Sequence, residues 1–200
     1  TTASVSDFEG IVRTALSNEA RFKGARRVEN LVAASDDLTN AAWVIGVAAT
    51  KDDATTISFS ASANSTVGEN VAIVGGTASQ TFIVSAVVWV DSGTEQFRFK
   101  NTHTGVVGNT SGDLTATTTK QRFSYAITNG SSAGSGGQNF GFQNGTDASA
   151  RTIHFENIQA EKTTGAALAT IPSEYVSVGV LSAPYHGANV DSVQFFNTLN

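Results

Sequence analysis

The 200-residue chain predicts an all-β fold, an antiparallel β-sandwich of jelly-roll type, on three observations. Short apolar–polar alternations recur along its middle, Gly/Ser/Asn/Asp clusters separate them, and interior helix signals are nearly missing. The only prolines, Pro172 and Pro184, follow the last alternation, where a residue without an N–H suits the exit from a sheet. The sandwich is placed over residues 30–171. An N-terminal extended arm over 1–29 precedes it, and a C-terminal extension or linker over 172–200 follows.

Taken in order, the arm carries Phe8, Ile11, Val12 and Leu16 near helical spacing, with Gly10 and Gly24 interrupting, which predicts one short helix in an otherwise extended segment. "TTISFSAS" alternates Ile57 and Phe59 with hydroxyl residues, a half-buried strand. "QTFIVSAVVWVD" is apolar from Phe82 to Val90 and rich in β-branched residues, so it reads as a central strand buried on both faces. "EQFRFKN" turns Phe97 and Phe99 inward and Gln96, Arg98 and Lys100 outward. The "DSGTE" before it predicts a hairpin. "QRFSYAIT", "QNFGFQN" and "RTIHFENIQ" place Phe123 with Tyr125, Phe140 with Phe142, and Ile153 with Phe155 on single faces. "VDSVQFFNTLN" alternates Val193 with Phe195 like a further strand, with more protein expected beyond it.

Charged residues make up only 14% of the chain, against roughly a quarter in ordinary domains. The surface is therefore polar but largely neutral. Without cysteine there is no disulfide framework, thiolate metal site or cysteine nucleophile. No apolar run is long enough to span a membrane. Arg13, Arg21, Lys23, Arg26 and Arg27 stand within fifteen residues with one acid, Glu19, so that segment carries +4 and the rest −9. It reads either as a solvated basic stretch or as a docking arm for an acidic protein surface. No nucleic-acid motif accompanies it.

Gly130-Ser131-Ser132-Ala133-Gly134 fits the pattern of a nucleophile elbow, but an elbow needs a strand before it and a helix after it. His103, His154 and His186 show no metal-ligand spacing. Asp36-Asp37 and Asp52-Asp53 could hold a structural calcium with backbone oxygens, although capping of a turn by Asp36 or Asp37 fits "SDDLTNAAW" better. Of the two tryptophans, Trp89 sits in an apolar run and reads as core. Trp43 follows a polar turn, and it and Tyr125 are the candidate glycan contacts, since aromatic faces serve as platforms for sugar rings. Sequons begin at Asn64, Asn109, Asn129 and Asn144, an incidental number in a chain so rich in Asn, Ser and Thr.

Four stretches together carry a resemblance. "GARRVENLVAASDDLTNAAW" (Arg27, Asn30, Leu31, Ser35, Asp37, Asn40 to Trp43), "FIVSAVVWV" (Ser85, Trp89), "KQRFSYAIT" (Arg122, Phe123) and "FENIQAEKTTGAALATIPSEYV" (Gln159, Glu161, Thr170, Pro172 to Tyr175) resemble, in order, the jelly-roll domains of bacteriophage virion proteins. Those domains are similar to family 4/9-type carbohydrate-binding modules. "KDDATTIS" departs from the longer turn-rich insertion those domains carry.

The resemblance implies a non-enzymatic virion surface protein: a capsid-decorating, head-fibre or tail-fibre component. It would attach through the arm to capsid or tail proteins and form a homo-oligomer such as a trimer. The alternative is a carbohydrate-binding module or adhesin domain for cell-surface glycans. Neither reading calls for a cofactor, nucleic acid or membrane. A hydrolase ranks third, for want of a catalytic set.

Overall fold

A computed structural model of the chain describes residues 3–6, 12–15, 30–71, 81–101, 106–107, 110–129, 138–162, 172 and 175. In the arm, β1 (Ala3–Ser6) and β2 (Val12–Ala15) pair antiparallel, Val5 opposite Arg13. Val12–Ala15 is strand where the helical spacing suggested a short helix; Phe8, Ile11 and Leu16 lie outside the described residues. Val5, Val12 and Thr14 are β-branched, which favours the extended backbone.

From Asn30 onward the described residues form two antiparallel sheets, as the alternations require. The strands are β3 (Trp43–Val47), β4 (Ala49–Lys51), β5 (Thr56–Phe59), β6 (Thr66–Val71), β7 (Thr81–Trp89), β8 (Thr94–Asn101), β9 (Val106–Val107), β10 (Leu114–Thr117), β11 (Gln121–Asn129), β12 (Gln138–Asn144) and β13 (Arg151–Lys162). The five-stranded sheet runs β10-β8-β12-β6-β3 and the six-stranded sheet β4-β5-β13-β7-β11-β9. This is the all-β jelly-roll sandwich the sequence predicts.

One expected connection differs. β7 pairs with β11 and β13, whereas β8 pairs with β10 and β12, so "DSGTE" carries the chain from one sheet to the other and does not close a hairpin. Phe82, Val84, Ala86 and Val88 on one side of the turn and Phe97 and Phe99 on the other are all buried in one core. Facing sheets bury both apolar faces together. Gly93, at φ 66, supplies the left-handed residue in the crossing.

The core is a stack of rings contributed by both sheets. Phe142 lies against Phe155 with centroids 3.9 Å apart, and Phe97 meets Phe123 edge-on at 5.2 Å. Trp43 stacks on Phe142 at 5.9 Å. Each buried ring contributes about 1.5–3 kcal/mol of burial, and each pair about 0.5–1.5 more.

Two irregularities set which residues point where. β13 shifts register against β7 between Glu156 and Gln159, with Asn157 at φ 51. The inward set therefore passes from Ile153 and Phe155 to Ile158 and Ala160, while Gln159 and Glu161 turn to the opposite face of the sheet, where both are buried. β3 shifts against β6 between Ile45 and Val47. A Cβ on the intervening Gly46 would meet Thr66 Oγ1, so a larger residue there would make that hydroxyl turn aside. The bulge leaves both Val44 and Val47 pointing out of the sandwich.

Candidate functional site

The outer face of the five-stranded sheet carries two parallel rows of side chains. Register places Lys100, Gly141, Gly68 and Val44 side by side across β8, β12, β6 and β3. The next row is Arg98, Gln143, Thr66 and Val47. With strands ~4.8 Å apart, each row spans about 14 Å. One end is basic, the other is apolar, with Val44 60% and Val47 52% exposed, and the middle of the first row has no side chains.

Local packing explains the two glycines differently. A Cβ on Gly141 would fall 2.0 Å from Val67 O and 2.5 Å from Gly68 Cα, so close approach of β6 demands glycine. At Gly68 the nearest atom would be Phe140 O at 3.4 Å, an ordinary contact. Packing alone does not require glycine there.

The basic end is unevenly committed. Arg98 donates from Nε to Asn144 O at 2.9 Å and from Nη2 to Ala63 O at 2.7 Å, and its Nε lies 3.6 Å from Asp113. Lys100 pairs with no carboxylate of the described residues. Burial, and then the neighbouring Arg98 charge, push its ammonium below the ordinary lysine range. Gln143 is 4% exposed and donates from Nε2 to Ala63 O at 2.7 Å, while its buried Oε1 has no partner among the described residues.

The glycan contacts expected from sequence fall elsewhere. Trp43 is 2% exposed, packed on Phe142, with its indole N–H donated to Ala34 O at 2.8 Å. It is core and offers no face to a sugar, because β3 turns it inward. Tyr125 is half-buried against the core beside Phe123. Arg13 lies in β2 with its side chain outside the described residues, as are Arg21, Lys23, Arg26 and Arg27, the Gly130–Gly134 elbow pattern, His103, His186 and the strand expected at Val193 and Phe195.

Trp89, expected in the core, points out of the six-stranded sheet. Its ring stacks on His154 at 4.9 Å and 13°, and the Lys120 ammonium lies 4.0 Å from its centroid. Lys120 in turn bonds Glu156 at 2.7 Å. His154 also meets Asp91 Oδ1 through Nε2 at 3.1 Å and Thr56 Oγ1 through Nδ1 at 3.0 Å. The order of groups is that of a charge relay, but Thr56 is buried on the sheet, so the line acts as a cross-strand clamp.

The acid pairs are engaged locally. Asp37 Oδ1 caps the turn through Thr39 N at 2.9 Å, as expected, and Asp53 Oδ1 does the same for Thr55 N at 2.7 Å. Asp52 accepts from Thr50 and Ser58. No cluster suited to a metal ion occurs among the described residues. Of the sequons, Asn64 is exposed. Asn144 is fully buried, its Nδ2 given to the carbonyls of Ser60, Ser62 and Ser149.

No protein-family model matches the chain, and no curated protein matches it. Among solved structures, the chain is similar to a xylan-binding domain from Paenibacillus barcinonensis (14% identity, 69% of this chain and 97% of that one, TM-score 0.47). It is also similar to the N-terminal cellulose-binding domain of a Cellulomonas fimi β-1,4-glucanase (13% identity, 64% and 91%, TM-score 0.42). An arabinose-bound α-L-arabinofuranosidase aligns over 70% of this chain at 14% identity and TM-score 0.46, and the chain spans 27% of that enzyme. Likeness at this level carries no argument about ligand.

Proposed function

We propose that this chain is a non-catalytic binding module that holds an extended glycan across the outer face of its five-stranded sheet. The observation that supports this is the strip over Gly141 and Gly68, bare of side chains between a basic wall at Arg98 and Lys100 and an apolar edge at Val44 and Val47. A sugar ring has an apolar C–H face and a polar rim. Gly141 is buried against β6 and Gly68 is partly exposed, so the ring would meet the backbone at Gly68, with aliphatic contact at one end and polar contact at the other. The platform is then the sheet itself and no aromatic ring.

Affinity electrophoresis against a panel of soluble polysaccharides tests the reading. Gly68→Thr should remove binding and leave the fold intact, since a Cβ is accommodated there and threonine suits a strand. Binding retained by a folded Gly68→Thr variant would place the site elsewhere.

A second reading, a virion surface component of head or tail, is favoured by one observation. β3 is the edge strand of its sheet, and Val44, Ile45 and Val47 are its exposed apolar residues. Edge strands of this kind pair readily with another chain. On this reading the protein is a homo-oligomer, a trimer by the resemblance, docked to capsid or tail proteins by the arm over 1–29. Deleting the arm should abolish attachment to particles and leave the sandwich folded; attachment by the truncated protein would count against it.

A further inference from the structure

We infer that the glycan this face takes is acidic, a uronate-bearing polysaccharide whose carboxylate pairs with Lys100. The inference rests on the binding-module reading above and adds the charge class of the ligand.

Among the described residues of the face, Lys100 is the uncommitted cation. Arg98 beside it is held by two backbone carbonyls and Asp113, so its fork is taken. The Lys100 ammonium, partly buried and next to a like charge, has no carboxylate partner among the described residues. A neutral ring laid over the Lys100 end of the row would strip more water from an unpaired charge, which is unfavourable. A carboxylate in the same place supplies the missing counter-charge and forms a short charge-assisted hydrogen bond.

Gln143 stands on the same face, two residues along β12 from Gly141. Its Nε2 is tied to Ala63 O, and its Oε1 is buried beneath the surface. It is closed to a ligand laid on the face, which leaves Lys100 as the group that selects by charge. A uronic acid carries a carboxylate for Lys100 and free hydroxyls on the same ring.

Calorimetry on the full chain, with oligogalacturonate and uncharged xylo-oligosaccharide as probes, tests this. Oligogalacturonate should bind the more tightly, should weaken as salt is raised, and should lose about tenfold or more in affinity on Lys100→Met. Circular dichroism and thermal melting establish that each variant is folded. Two results would overturn the inference: oligogalacturonate affinity unchanged in a folded Lys100→Met variant, or wild-type preference for the uncharged probe. If the uncharged probe binds, is lost on Gly68→Thr and is indifferent to Lys100→Met, the face is a glycan site and its acidic specificity is wrong. If neither probe binds, both readings fall.

Discussion

The Tyr175 hydroxyl donates a 2.6 Å hydrogen bond to Asp36 Oδ2 and lies 2.8 Å from Ser35 Oγ. It thereby ties the "PSEY" stretch to the "SDD" turn near the start of the sandwich. Burial first, and the Asp36 carboxylate second, push the phenol up to about 12.

That shift gives the latch a pH signature. A raised folded-state value means that the contribution is complete below the ordinary tyrosine value of 10.0 and is lost as pH rises toward about 12. Tyr175→Phe should therefore lower stability at neutral pH, and the gap to wild type should close in strong alkali. A tyrosinate absorbance titration should lose its most alkaline component in the variant. Loss of an ordinary component near 10.0 in its place would mean that Tyr175 is not held at this site.

The two tryptophans should separate in fluorescence. In Trp89→Phe the remaining emission comes from buried Trp43 and should resist iodide. In Trp43→Phe it comes from Trp89, half-buried on the outer face beside His154 and the exposed Lys120, and should be quenched more readily. Trp43→Ala should cost about 3–5 kcal/mol by denaturant unfolding, as a ring leaves a packed core. Trp89→Ala should cost much less, since it forfeits two surface contacts.

Asn144 should prove more costly to change than its place at the end of β12 suggests. Its Nδ2 serves three backbone carbonyls and its Oδ1 accepts from Gly145 N at 2.9 Å, all within a buried site. Asn144→Ala should lose about 2–4 kcal/mol in urea, since the carbonyls of Ser60, Ser62 and Ser149 lose a shared donor. Asn144→Asp should be worse than its size implies, because a carboxylate cannot donate to them. Equal stability of the alanine variant and wild type would mean that water replaces the amide.

How much of this was legible in the sequence depends on distance along the chain. Period-two alternation placed Ile57, Phe97, Phe99, Phe140, Phe142, Ile153 and Phe155 inside correctly, because pleating alone decides it. The tryptophans came out reversed. Trp89 follows an unbroken apolar run, but parity within β7 turns it out with Ile83, Ser85 and Val87. Trp43 follows a polar turn, yet it begins the strand on the inward side. The "DSGTE" crossing was invisible because a tight turn does not reveal which sheet its second strand joins. Gln159 and Glu161 fell on the face opposite the core only once the bulge at Asn157 was known. The outer-face rows depend on register among β8, β12, β6 and β3, and no local signal fixes that. The one available hint was "NFGFQN", where a glycine between two inward phenylalanines marks a bare outward position on β12.

The last prediction concerns the loop that follows β12. Arg151 is 1% exposed at its side chain, donates from Nη1 to Gln96 O, Nε to Ser149 O and Nη2 to Asp147, and lies 3.5 Å from Glu95. A Cβ on Gly145 would come within 2.9 Å of Nη1, so the loop is closed tightly over the guanidinium. Arg151→Lys should not rescue Arg151→Met fully, because an ammonium cannot span these partners as a planar fork does. Arg151→Met should lose about 2–3 kcal/mol near neutral pH from the acceptors left unpaired. Burial works against ionisation of Asp147, yet the Arg151 hydrogen bond and charge outweigh it and hold its carboxyl below 3.8. A depressed value contributes stability that is present above 3.8 and lost as pH falls through the lower folded-state value. The gap between wild type and Arg151→Met, followed by urea unfolding, should thus narrow in acid. A gap that stays constant into acid would show that Arg151 acts through its backbone acceptors alone.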